Sequence, residues 1–357
     1  MERYPLKLTF HVREYSFGER LIPERLGKEG VPDGVVAETW EVSDYRDAPA
    51  TVTNGEYAGR TLHELVEESP DELVGEGWRG PHFPILLKFL DASHMLPVHL
   101  HPDDETAKAK HGEPHGKSEA WHILWAKPDA SILAGIKEGF SREDLYNAFK
   151  RQDYDRVMPR YPITAGDTVY VPGGILHTFG PGTLIAEVQQ TSDLGQFVMP
   201  EDLYGTPLGE DEWNANIEAT LDELKTNFMP RPNPGLVLED GENRKVLCCA
   251  GPNFALERWT LAAASVVPAR PDRFTTLSNV GEGDVLVEHG GGQEILGRAE
   301  SCVLPAALGA VEVVPEGDGE ASVVACYVPD MDRDVVGPSR EAGYSDEGIR
   351  GLGQVDV

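Results

Sequence analysis

The segment Leu96-Pro97-Val98-His99-Leu100-His101-Pro102-Asp103-Asp104 sets two histidines two residues apart. In a strand, such residues point to the same face, so both imidazoles can reach one point inside a barrel. Neutral imidazole is a good ligand for borderline divalent metals. Alone the pair says little, because a single histidine is commonly a satisfied core side chain. The rest of the pattern adds weight. Gly166-Asp167-Thr168-Val169-Tyr170-Val171-Pro172-Gly173-Gly174-Ile175-Leu176-His177 reads as a strand, a Pro-Gly turn, and a second strand that aims His177 inward. Between them, Gly116-Lys117-Ser118-Glu119-Ala120-Trp121 offers Glu119 beside a strand-like run. Three imidazoles and one carboxylate leave a divalent ion with one net positive charge and open positions, as a catalytic site requires. His94, His111, His115 and His122 fit no such pattern and read as surface or core histidines.

The elements that must position these residues are mostly strands. Short runs rich in Val, Ile, Leu and Tyr, such as Pro84–Leu90, Trp121–Trp125, Thr168–Val171, Leu184–Val188, Ala255–Leu261, Asp284–Val287 and Ser322–Tyr327, alternate with Gly and Pro turn signals. That spacing predicts sandwiches or barrels. Three stretches read as helices. Thr61–Ser69 has apolar residues at helical spacing. Ser141–Lys150 opens on a Ser141/Asp144 capping pair. Glu210–Phe228 carries Trp213, Ile217, Leu221 and Leu224, three and four apart. The Pro-rich break at Pro230, Pro232 and Pro234 is the clearest boundary. The expected organisation is a metal-binding β-unit with an N-terminal extension over 1–197 and a helical section with linker over 198–234. A second, metal-free β-unit follows over 235–330, with only His289 and no His-x-His, and then a polar tail over 331–357 that is either loosely held or lies over the surface.

Of the 357 residues, 40% are hydrophobic, enough for a substantial core. Lys plus Arg number 31 and Asp plus Glu 61, giving a net charge of −30. Nucleic acid and anionic membranes need positive charge, so neither is an expected partner. An anionic substrate would need a local basic pocket to offset the same repulsion. Cys248, Cys249, Cys302 and Cys326 form no Cys-x-x-Cys pair and read as small buried hydrophobes of a reduced protein. The start, Met1-Glu2-Arg3-Tyr4-Pro5, has no apolar segment, and no run approaches a membrane span. The expected location is the cytoplasm, with a monomer or homodimer as the working form.

The segment from Gly166 to His177 is G-x5-P-x-G-x2-H, the second cupin motif. The chain also resembles the class I mannose-6-phosphate isomerases along most of its length. The similarity runs through Glu38-Thr39-Trp40-Glu41-Val42-Ser43, Gly59-Arg60-Thr61-Leu62 and Phe83-Pro84-Ile85-Leu86-Leu87-Lys88-Phe89-Leu90-Asp91-Ala92. It continues in His101-Pro102-Asp103-Asp104-Glu105, Gly116-Lys117-Ser118-Glu119-Ala120-Trp121 and Gly180-Pro181-Gly182-Thr183-Leu184. It ends with Glu187-Val188-Gln189-Gln190-Thr191-Ser192-Asp193 and Asn216-Ile217-Glu218-Ala219-Thr220-Leu221-Asp222. The resemblance implies a mainly β fold: a double cupin of two β-barrel or jelly-roll units with an interposed helical section. It implies interconversion of mannose 6-phosphate and fructose 6-phosphate through a cis-enediol, on one divalent metal, usually zinc. His101, Glu119 and His177 match metal ligands, Lys117 and Glu187 match catalytic polar residues, and Lys88 matches a pocket lysine. Asp193 closes a segment that borders the substrate.

Three positions depart from the family pattern. His99 stands where the family has Gln, and Pro97 where it has Ser. Phe197 stands where the family carries an Arg four residues after the Asp of its SSD segment, and no Arg or Lys occurs between Arg160 and Lys225. An Arg is the natural clamp for a sugar phosphate. Either another segment supplies that charge, or the substrate is a non-phosphorylated sugar lying against Phe197. Three His and one Glu is also the ligand set of cupin oxidases and dioxygenases, for which Fe, Mn or Ni would serve as readily as Zn. A non-catalytic sugar-binding cupin is the remaining alternative.

Overall fold

The computed structural model describes residues 1–46, 48–317 and 319–357. The architecture is mainly β, with two sandwich units and a helical section between them, as the strand spacing predicted. In the first unit, one antiparallel sheet has the order Thr168–Val171, Glu119–Ala126, Thr183–Gln190, Ile85–Ala92, Glu38–Val42, His11–Arg13. Facing it is a second antiparallel sheet ordered Arg160–Pro162, Ser131–Ala134, His177–Gly180, His99–Leu100, Gln196–Phe197. Leu90, Trp121, Ile123 and Ile185 of the first sheet meet Ile132, Ala134 and Phe179 of the second to form the interior.

The strands Ile85–Ala92 and Thr183–Gln190 are buried at every position. Both faces are covered, which explains why these runs lack a clean polar alternation. One face lines the sandwich interior. On the other, Leu87, Phe89, Ala186 and Val188 pack against Val246, Leu256, Val324 and Cys326 of the second unit. The second unit has its own core, built from Trp259, Leu277 and Val323 against Val285, Val287 and Val313. The N-terminal strand Leu6–Lys7 crosses to this unit and pairs with Val303 and Cys302. All four cysteines are buried and unpaired.

The helical section covers the outer face of the five-stranded sheet. Leu145 and Phe149 of helix Arg142–Lys150, and Ile217 and Leu221 of helix Glu210–Glu223, pack on Val98, Leu100 and Leu176. Ser141 and Asp144 form the expected capping box, as do Thr61 and Glu64 on helix Leu62–Glu68. The helix expected to reach Phe228 stops at Glu223. Leu224 is extended there because the Lys225 N–H donates to Gly174 O at 2.8 Å, drawing the chain onto the sandwich rim.

Of the two expectations for the last segment, the structure has the one in which it lies over the surface of the second unit. Its short helices Met331–Val336, Gly337–Glu341 and Asp346–Arg350 bury Val335, Val336, Ile349, Leu352 and Val355 against Leu247, Ala250, Ala255 and Tyr327. Burying a Val- or Leu-sized side chain contributes about 1.5–3 kcal/mol, so a few sparse anchors suffice to dock a polar sequence. Among the described residues, no helix is long and apolar enough to cross a membrane.

Candidate metal centre and active site

Strand register brings the proposed ligands together. His99 and His177 are direct partners on neighbouring strands, and their Nε2 atoms are 3.1 Å apart. Glu119, on the opposite sheet, places Oε1 3.0 Å from His177 Nε2 and Oε2 3.4 Å from His101 Nε2. All four ligand atoms lie within 4.8 Å of one another, and all four residues are buried. A divalent ion about 2.1 Å from each nitrogen or oxygen sets neighbouring ligands roughly 3 Å apart.

The second nitrogen of each imidazole is already committed. Nδ1 of His99, His101 and His177 donates to the backbone carbonyls of Pro97, Leu194 and Ile175 at 2.7, 2.5 and 2.8 Å. That fixes the tautomer and turns each Nε2 lone pair to the centre, the outer hydrogen bonding of metal-ligating histidines. Nε2 of His101 is buried with no hydrogen-bond partner among the described residues, so the donor set fits a cation. Burial is the main cause that holds the His99 and His101 imidazoles well below their ordinary range, which keeps them neutral. Burial works against the Glu119 carboxylate, but Lys117, His101 and His177 more than offset it and hold it well below the usual range.

The rim turn explains the spacing of the downstream motif. Gly174 has φ +91° and its N–H donates to His101 O at 2.6 Å. A Cβ on Gly173 would lie 2.6 Å from Asp103 Cα. The turn therefore presses onto the His101–Asp103 backbone, and only glycine permits the approach.

Beside the four candidate ligands is a cavity of about 150 Å³ lined by Lys88, Lys117, Glu187, Asp193 and Phe197, together with His99, His101 and Glu119. Lys117 Nζ is 3.1 Å from Glu119 and 3.7 Å from Glu187. Lys88 Nζ lies 3.3, 3.9 and 3.8 Å from Glu38, Glu187 and Asp193. Burial opposes the Lys88 ammonium, and those three carboxylates more than offset it, so its pKa is raised. Burial pushes the Glu187 carboxyl up to about 8, against the pull of Lys88. Burial likewise raises Asp193. Phe197 pairs with His99 in register and stacks on its ring, with centroids 5.3 Å apart and planes at 21°. His122 points elsewhere, to Thr168 Oγ1 at 2.9 Å.

Two polar residues, Glu38 in the lining of this pocket and Arg13 beside it, were missed from the sequence. Glu38 accepts from Trp40 Nε1 at 2.7 Å and faces Lys88. Arg13 is the register partner of Glu38, so both side chains share the pocket face of the sheet. Its guanidinium carbon lies 4.1 Å from the centroid of the Trp40 ring, which Lys88 Nζ also approaches, at 4.9 Å. Arg13 makes no ion pair among the described residues. The signal available was alternation: Glu38 and Trp40 sit two apart, as do Lys88 and Leu90 on the neighbouring strand.

Known proteins resemble this chain over most of its length. Residues 6–122 match the family model for phosphomannose isomerase type I, catalytic domain. A mannose-6-phosphate isomerase of Streptococcus mutans is 28% identical over 326 residues, covering 90% of this chain and 98% of that protein. The mannose-6-phosphate isomerase ManA of Bacillus subtilis is 36% identical over 163 residues, 46% of this chain and 51% of the relative. The crystal structure of a Bacillus subtilis mannose 6-phosphate isomerase superposes with a TM-score of 0.79 at 26% identity, covering 90% of this chain and 99% of that one. With the buried His/Glu group indicating a single metal ion at this centre, the chain is similar in sequence to the type I phosphomannose isomerases and shares their mainly β, cupin-like fold.

Proposed function

We propose that this protein is a metal-dependent aldose–ketose isomerase that interconverts mannose 6-phosphate and fructose 6-phosphate, with His99, His101, Glu119 and His177 holding zinc. The observation that carries the proposal is the convergence of those four ligand atoms beside Lys117 and Glu187 in one buried cavity. A bound divalent ion supplies positive charge that polarises the sugar carbonyl and acidifies the adjacent C–H. Glu187 Oε1 is buried and has no hydrogen-bond partner among the described residues, so it is free to take the proton from C2 and return it at C1. Lys117 donates to oxygen as negative charge develops there. Lys88 holds Glu187 and Asp193 in place from the sheet floor. Phe197 and Trp121 exclude water from one side.

Arg13, unpaired at the pocket edge, is the cation we assign to the phosphate. A second reading, isomerisation of a neutral sugar, is favoured by one observation: among the described residues no arginine lines the cavity itself. Metal-free protein reloaded with zinc separates the two. Coupled conversion of mannose 6-phosphate to fructose 6-phosphate supports the first. Turnover of free mannose, fructose or lyxose without turnover of the phosphate esters supports the second and overturns the first. The buried, unpaired cysteines support a reducing, cytoplasmic setting.

A further inference from the structure

A second cluster of metal-ligand type lies outside the cavity described above. Asp44, on the short strand Asp44–Tyr45 that follows Glu38–Val42, is 2% exposed. Its Oδ1 is 2.9 Å from His63 Nδ1, and its Oδ2 accepts the Phe83 N–H at 2.8 Å. His82 Nδ1 stands 3.9 Å from that same Oδ2. Ligand atoms of the three residues all lie within 4.8 Å of one another.

A His63–Asp44 hydrogen bond alone accounts for His63 and leaves His82 unexplained. His82 Nδ1 is buried and has no hydrogen-bond partner among the described residues. At 3.9 Å it is too far from Asp44 for a hydrogen bond, yet two ligands each about 2.1 Å from a shared ion can sit that far apart. His63 Nε2 faces Glu67 Oε1 at 3.6 Å, one helical turn on, giving the carboxylate–imidazole order that orients metal-bound histidines. Burial lowers the pKa of His82, which keeps it in the neutral form that ligates.

We infer that Asp44, His63 and His82 form a second site for a borderline divalent ion of the zinc type, with a position left open to water at its half-exposed rim. The site joins three segments: the Asp44 strand, helix Leu62–Glu68, and the turn at His82–Phe83 that leads into Ile85–Ala92, the strand carrying Lys88. Its function is therefore to brace the entry to the catalytic sheet, at a distance from the chemistry. It does not depend on the isomerase assignment.

The test is zinc stoichiometry on the full chain, stripped with chelator, titrated calorimetrically with zinc chloride and checked by elemental analysis after desalting. Wild type is expected to bind two equivalents. His82→Ala is expected to bind one, as is His63→Gln, a partly exposed position whose replacement leaves packing intact; far-ultraviolet circular dichroism confirms that each variant is folded. Zinc beyond the first equivalent should raise the melting temperature of wild type and leave that of His82→Ala unchanged. One equivalent in wild type, or two in folded His82→Ala, overturns the inference. The barrel centre is scored separately, through the equivalent that His177→Ala removes.

Discussion

Replacing Glu187 with Gln isolates a pocket carboxyl whose pKa burial raises strongly. Glu187 is 3% exposed, its Oε1 has no hydrogen-bond partner among the described residues, and burial lifts its pKa to about 8 despite Lys117 at 3.7 Å and Lys88 at 3.9 Å. In the unfolded chain the same group titrates near its ordinary value of 4.5. Between these two pH values the folded protein holds a proton that the unfolded chain has released. Stability contributed by Glu187 is thus complete below pH ~4.5 and is lost as pH rises towards ~8. A pH unit inside that window costs about 1 kcal/mol or a little more, so moving from about pH 5.5 to about pH 7.5 costs roughly 3 kcal/mol. Glutamine keeps the shape and cannot ionise, so Glu187→Gln lacks this slope. The assay is urea unfolding of metal-free wild type and variant across the window, with the free-energy difference plotted against pH. Wild type should lose ground to the variant steadily as pH rises. Parallel curves would refute the environment argued for Glu187. Added zinc should flatten the wild-type curve, because a cation beside Glu119 favours the ionised form of Glu187.

Three further outcomes are expected. His177→Ala should lower zinc content by one equivalent in elemental analysis of desalted protein; unchanged occupancy would remove His177 from the ligand set. Lys88→Met leaves Glu38, Glu187 and Asp193 without their shared cation, and should destabilise the fold by about 3–5 kcal/mol in urea, with a loss under about 1 kcal/mol contradicting the ion-pair account. Phe197→Arg should lower, and Arg13→Ala raise, KM for mannose 6-phosphate by roughly tenfold or more, the worth of a charge-assisted hydrogen bond, while leaving any activity on free mannose unchanged; equal effects on both sugars would detach these positions from the phosphate.

What was legible in the sequence was what strand periodicity fixes. His99 and His101 share a face because they are two apart, and the Pro172-Gly173-Gly174 turn announces the next inward position at His177. What was hidden depends on register between distant segments. Glu38 and Glu41 lie on one strand and are both buried, yet Glu38 turns to Lys88 in the pocket while Glu41 pairs with Lys28 at 2.8 Å towards the second unit. Alternation says that they face opposite ways, not which way is inward. Arg13 was invisible for the same reason, since its place beside Glu38 exists only once the edge strand has paired. In helix Glu210–Glu223 the apolar spacing runs on to Leu224, but a backbone hydrogen bond to Gly174 ends the element. In the C-terminal segment, Val335, Ile349 and Leu352 are too thinly spread to read as a docking face until the second sheet supplies Leu247 and Tyr327.

The charges of the pocket make these parts depend on one another. Glu38, Glu119, Glu187 and Asp193 outnumber Lys88 and Lys117 in its lining, leaving two negative charges in a largely desolvated space. Uncompensated buried charge is costly, and the raised pKa of Glu187 is one way the protein lowers that cost. A divalent ion at the four-ligand centre is the other, since two positive charges bring the lining to neutrality. A neutral pocket suits the sugar ring but has nothing left for a phosphate dianion, and a surface with a net charge of −30 repels one at long range. The compensating cation must then stand outside the balanced group and be free of partners of its own. Arg13 meets both conditions, stacked on Trp40 at the sheet edge and committed to no carboxylate among the described residues. If Arg13 is the phosphate cation we propose, phosphate specificity in this chain follows from where its edge strand pairs, rather than from the loop that carries Phe197.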